Sequence, residues 1–66
     1  MFKITNIFTQ DGTVTEDINQ AMDDLEAMVE DLREMGKDKG FRVVCHIADG
    51  FIADQAGTIL AEIVKL

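Results

Sequence analysis

The spacing of apolar residues changes period twice along the chain. From Phe2 to Phe8 it alternates, with Phe2, Ile4 and Phe8 on one parity and Ile7 on the other, among β-branched and aromatic neighbours. This predicts a first strand over residues 2–8. Gln10-Asp11-Gly12 follows as a turn, because glycine tolerates positive φ and aspartate bonds its own backbone. From Ile18 the period becomes helical: Ile18, Ala21, Met22, Leu25, Met28, Val29, Leu32 and Met35 recur at intervals of three and four. Thr13 with Glu16 fits a capping box, with Thr15 as the alternative N-cap, and Glu16 and Asp17 then favour the first turn. Gly36 is the natural residue after the last turn, with Arg33, Lys37 and Lys39 near the carboxyl end. The pattern predicts one helix over about residues 14–36.

Alternation resumes at Phe41. Phe41, Val43, Cys45 and Ile47 share one parity, and Arg42, Val44 and His46 share the other, which predicts a second strand over 41–47. Asp49-Gly50 reads as a bulge or turn in its continuation. Asp54-Gln55-Ala56-Gly57 lies between Phe51-Ile52-Ala53 and Thr58-Ile59-Leu60 and predicts a hairpin, a type I turn closed by glycine in the left-handed region. The competing pattern is a helix from Asp54 to Lys65, with Ala56, Ile59, Leu60, Ile63 and Val64 on one side. Gly57 disfavours it by about 1 kcal/mol relative to alanine.

The elements sum to an α+β fold of order β-α-β-β over residues 1–66. One long amphipathic helix packs on one face of a small three-stranded sheet, the first two strands parallel through a right-handed crossover. The runner-up is β-α-β-α. Either arrangement leaves a sheet face without a cover. That face is expected to carry Val44, with Ile7, Leu60 and Val64, and an apolar face of this kind calls for a partner.

Composition sharpens this expectation. Sixty-six residues, 47% of them hydrophobic, hold a core that barely offsets the entropy of ordering the chain. A single cysteine excludes an intrachain disulfide, and no Cys/His cluster offers structural zinc. Self-association is the remaining staple, with Val44, His46, Leu60 and Val64 as the expected oligomer interface. The first residues form no secretory signal, and no apolar run approaches the roughly 20 residues that span a bilayer. The expected location is the cytoplasm, where a lone thiol stays reduced.

The net charge of −7 has one source. Thr15–Met35 contains eight acids (Glu16, Asp17, Asp23, Asp24, Glu26, Glu30, Asp31 and Glu34) against Arg33 alone. Elsewhere five acids, Asp11, Asp38, Asp49, Asp54 and Glu62, balance Lys3, Lys37, Lys39, Arg42 and Lys65. At 100° per residue Glu16, Asp23, Glu30 and Glu34 form a ridge opposite Leu25, flanked by Asp24 and Asp31 on one side and Glu26 on the other. Such a face can simply be solvated. Solvated helices, however, usually interleave lysine at i,i+4, and this one does not. The ridge is therefore the expected contact for a basic protein surface. Nucleic acid, carrying like charge, is not an expected partner.

Chemistry is sparse. Cys45 and His46 point to opposite faces of a strand and form no dyad. Cys45 is expected as a small core hydrophobe, and His46 at a rim or interface. Asp49 and Asp54 lack EF-hand spacing or a His pair, so neither is expected to hold a metal. The glycines make no phosphate loop, serine and proline are absent, and no cofactor is expected. The expectation is a non-enzymatic interaction module, a regulator or inhibitor comparable in size and charge alone to compact acidic inhibitors of phages and plasmids. The alternative is a small-molecule-binding homo-oligomer with a site at the subunit interface near His46 and Asp49-Gly50.

Overall fold

A computed structural model describes residues 1–8 and 12–66. The predicted turn residues Gln10 and Asp11 lie outside the described residues. The chain runs β1 (Phe2–Asn6), β2 (Gly12–Thr15), α1 (Ile18–Lys39), β3 (Val43–His46), β4 (Phe51–Asp54) and β5 (Ile59–Lys65). The strands form one antiparallel sheet in the order β2-β1-β5-β4-β3, and α1 packs on one face of it. The α+β class and the single long helix match the expectation, while the sheet has five strands rather than three and the order is β-β-α-β-β-β.

Two local turns and one long-range pairing produce the extra strands and the different order. β1 ends at Asn6, whose buried side chain accepts the Phe8 N–H through Oδ1 at 2.9 Å and turns the chain. Gly12–Thr15 then returns beside β1, Phe2 opposite Thr15 and Thr5 opposite Gly12, so Thr13 and Thr15 are strand residues and not caps of the helix. Second, Ile47–Asp49 form a 3-10 turn closed by Gly50 at φ 84°, which reverses the chain and sets His46 opposite Phe51. Third, β5 pairs with β1 along its length, Phe2 with Lys65 through Asn6 with Ala61. It thereby occupies the place that a parallel β1–β3 pair would need.

The hairpin between β4 and β5 forms as the sequence predicts. Asp54 Oδ1 accepts the N–H groups of Ala56 and Thr58, both at 2.9 Å, and Gly57 takes φ 88°. The alternative C-terminal helix is overturned, since Ile59–Lys65 is strand.

The helix is shifted toward the C-terminus by three or four residues. Its N-cap is Asp17, whose Oδ1 accepts the Asn19 N–H at 2.8 Å, while Thr15 Oγ1 accepts the Asp17 N–H. Its C-cap is Gly40 at φ 85°, and Gly36 O accepts from both Gly40 and Phe41. Gly36 is an interior, buried helical residue. Its lack of a side chain lets the Phe41 carbonyl lie where a Cβ would sit, at 2.5 Å.

Ala21, Leu25, Val29 and Leu32 of α1 meet Ile4, Ile52, Leu60 and Ala61 of the sheet in the buried core. Leu60 and Ala61 are both buried because the β4–β5 register shifts at Ile52/Ala53: Ile52 faces Ala61 while Ala53 faces Ile59, leaving Leu60 as the extra residue of a bulge. Leu60, expected on the uncovered face, is thus a core residue. At the far end Phe8 stacks on Phe41 at 5.8 Å, with Lys39 Nζ 5.8 Å above the Phe8 ring. Among the described residues no helix is long and apolar enough to cross a membrane.

Candidate functional site

α1, about 10–12 Å across with its side chains, approaches all five strands of a sheet about 20–24 Å wide but is too narrow to cover the full length of each. That mismatch decides what each surface offers. On the covered side Val43 of the edge strand β3 packs against the core, while Cys45, two residues on, lies beyond the cover of α1. Cys45 has the predicted parity, opposite the buried Ile52, yet it is exposed. It lines a groove of about 290 Å³ with Glu26, Val29, Glu30, Arg33 and Ile47. The expectation of a buried thiol is overturned for this reason: alternation predicts the face, whereas burial depends on which part of the strand the helix reaches. An iodoacetamide-type reagent should alkylate Cys45 of the folded protein within about tenfold of the denatured rate. Protection much beyond that would place Cys45 under a cover.

A second groove, of about 240 Å³, lies where the first turn of α1 meets the 3-10 turn. Phe2, Ile18, Met22, Ile47 and Ile63 make its apolar lining, with Asp49 and Lys65 among the polar groups. It lies beside Asp49-Gly50 as the alternative reading expects, but His46 is elsewhere: its ring stacks on Phe51 at 4.7 Å, on the opposite side of the sheet. Four separate segments contribute to this groove, so periodicity within any one of them does not reveal it.

The acidic surface is the outer side of α1. Asp23, Glu26, Glu30, Asp31 and Glu34 are exposed, and Asp24 is half-buried and accepts a hydrogen bond from Gln20 Nε2 at 3.0 Å. Glu16 is exposed but precedes the Asp17 cap, so it stands off the end of the ridge instead of in the first helical turn, which contains no acid. The ridge proper is Asp23, Glu30 and Glu34.

The fourth surface is the sheet face away from α1. Since Ile4 is buried against the helix, Lys3 and Thr5 point away from it, and the register carries this parity through Val14, Val64, Glu62, Phe51, Ala53, Ile59, Val44 and His46. Val14, Val44, Ile59 and Val64 are exposed there; Ile7, expected on this face, is exposed in the turn after β1, outside the strand register, and its N–H bonds Leu60 O. Val44, His46 and Val64 stand on this face as expected. Ile59 replaces Leu60, because the bulge breaks the alternation that places 60, 62 and 64 together.

Among the described residues no group of three or more His, Cys, Asp or Glu is placed to hold a metal ion. Asp54 is engaged in its own turn and Asp49 lies in the 3-10 segment. Comparison with protein-family models, with curated proteins and with solved structures returned no match.

Proposed function

We propose that this chain is a small non-catalytic interaction and regulatory module of the cytoplasm, which presents the outer face of α1 to a basic surface of another protein and inhibits the site it covers. The observation that carries this reading is the segregation of charge. Seven acids, Asp23, Asp24, Glu26, Glu30, Asp31, Glu34 and Asp38, against Arg33, Lys37 and Lys39, stand on a 22-residue helix whose opposite side is locked into the core. A helix held this way displays its carboxylates at fixed spacing, about 10 Å apart over each seven residues, with little ordering left to do on binding. The like charges at i,i+4, Glu26 with Glu30 and Glu30 with Glu34, disfavour the free helix by a few tenths of a kcal/mol per pair. A basic surface reverses that sign and speeds encounter.

The test removes three charges and preserves shape: Asp23→Asn, Glu30→Gln and Glu34→Gln together. The basic protein that co-purifies with the unmodified chain at low salt should associate with the variant at least about tenfold more slowly. Raising salt should reproduce the loss on the unmodified chain. An unchanged association rate, with a variant that merely precipitates more readily near neutral pH, would reduce the ridge to a solvating surface.

A second reading rests on the groove between Ile18, Met22, Ile47 and Asp49. Its apolar lining suits the body of a small amphiphile, and Lys65 suits an acidic head group. Native mass spectrometry separates the two readings, since it retains a small ligand and a protein partner at distinguishable masses.

A further inference from the structure

We propose that a second copy of this chain packs on the open face of the sheet, so that the functional unit is a back-to-back dimer displaying one acidic helix on each outer side.

The face is largely apolar and uncovered: Val14 is 45% exposed, Ile59 42%, Val44 39% and Val64 37%, around the stacked pair His46 and Phe51. Isolated exposed apolar side chains are ordinary, but here Val64 and Ile59 of β5, Phe51 and Ala53 of β4 and Val44 of β3 adjoin across three neighbouring strands, which marks an interface. Its extent also suffices. Five strands about 4.8 Å apart, rising about 3.3 Å per residue over four to seven residues, make a face of roughly 24 by 18 Å. With side-chain relief this is on the order of 600 Å² per copy, or about 1,200 Å² for the pair, the lower limit for a specific stable interface.

Charge selects the occupant. Within the paired strands, Lys3 and Glu62 are the ionisable pair of opposite sign on this face, so it is close to neutral on a chain of net charge −7. A basic partner is drawn to the helix layer and finds no matching field on the sheet. A second copy does match: a nearly neutral, largely apolar face meets its equal, and the Lys3 of one copy can be met by the Glu62 of the other. The feature that should oppose self-association, the acid on α1, lies on the far layer. Sheets packed face to face are about 10 Å apart, and each helix adds its own diameter outside. The two acidic ridges are then about 40 Å apart, several Debye lengths at 0.1 M salt. The dimer carries net −14, twice the −7 of one chain, yet the repulsion across it is screened.

The arrangement makes the module bivalent. Two ridges facing opposite ways engage two basic sites on an assembly, or bridge two molecules of one partner. This consequence rests on the proposed role of the ridge, while the dimer itself does not.

Sedimentation velocity of the full chain from about 1 μM to about 1 mM tests the dimer. The expected species is two copies of 7.3 kDa, populated by tens of micromolar and unaffected by added salt. Val64→Glu places a charge on the apolar face at a solvated position and should weaken association at least tenfold, with an unchanged far-ultraviolet circular dichroism spectrum at low concentration. Ile59→Thr keeps β propensity and should also weaken it if Val64→Glu does not fold. Ile18→Glu, on the helix side, and alkylation of Cys45 should leave the dimer intact. A monomer across the whole range, or a dimer disrupted by Ile18→Glu but not by the two sheet variants, would overturn the proposal. Failure of the ridge reading registers separately, as an unchanged association rate with the basic partner.

Discussion

Replacement of Leu25 by alanine is expected to destabilise the protein by about 3 kcal/mol, the middle of the range for emptying a fully buried leucine site. Leu25 is 0% exposed at the centre of α1, where Ala21, Val29 and Leu32 join it against Ile4 and Ile52. The expected stability of a 66-residue domain is roughly 3–10 kcal/mol, so this one change removes a third or more of it. Ile18→Ala belongs to the same helical stripe but opens onto the groove at 42% exposure, and should cost less than about 1 kcal/mol. Urea denaturation of both variants at one protein concentration checks the contrast, the concentration being held because self-association raises apparent stability. Equal costs at the two positions would mean that the helix is not docked by the Ala21–Leu32 face.

Gly36→Ala is expected to destabilise by about 1–3 kcal/mol, against the usual direction for glycine in a helix. Helix propensity alone favours alanine by about 1 kcal/mol. Here the added Cβ meets the backbone carbonyl of Phe41, with its ring close behind. A backbone oxygen cannot swing aside as a side chain does. The chain at Phe41 is also tied to this point, because Gly36 O accepts from Gly40 and Phe41 at 2.8 and 3.1 Å. Steric cost therefore exceeds propensity gain, and thermal melts should show a fall in Tm. Gly40→Ala is the informative comparison: open space surrounds it, and its loss comes only from φ 85°, about 1 kcal/mol. A gain in stability at Gly36 would show that the Phe41 segment moves away freely.

The two glycines illustrate how a residue type underdetermines its role. Both stand near the end of an apolar stripe, and the cap assigned to Gly36 is in fact at Gly40. What distinguishes them is the approach of Phe41, a contact made after the chain has turned. The helix start has the same character. Thr13 and Thr15 carry a capping signature at the right spacing, but backbone pairing of Phe2 with Thr15 commits them to β2, and Asp17 takes the cap.

The candidate surfaces divide in the same manner. The acidic ridge is legible because it belongs to one helix, where 100° per residue places Asp23, Glu30 and Glu34 together whatever else the fold does. The open face is legible in kind, with Val44, His46 and Val64 on it, and misassigned at Leu60 by a single bulge. The groove beside Asp49 is not legible, since β1, α1, the 3-10 turn and β5 meet there only after folding.

By itself the sequence determined the long helix with its core stripe, the strands at Phe2–Asn6 and Val43–His46, and the Asp54–Gly57 hairpin, but not β2, whose threonines carry a capping pattern. Each of these depends on interactions a few residues apart, through hydrogen-bonded turns and side-chain periodicity. Tertiary structure alone decided strand order, the placing of β5 between β1 and β4, the exposure of Cys45 and the burial of Leu60. These depend on which distant strands pair and on how far one helix reaches across five strands, and neither quantity is written in the period of any single segment.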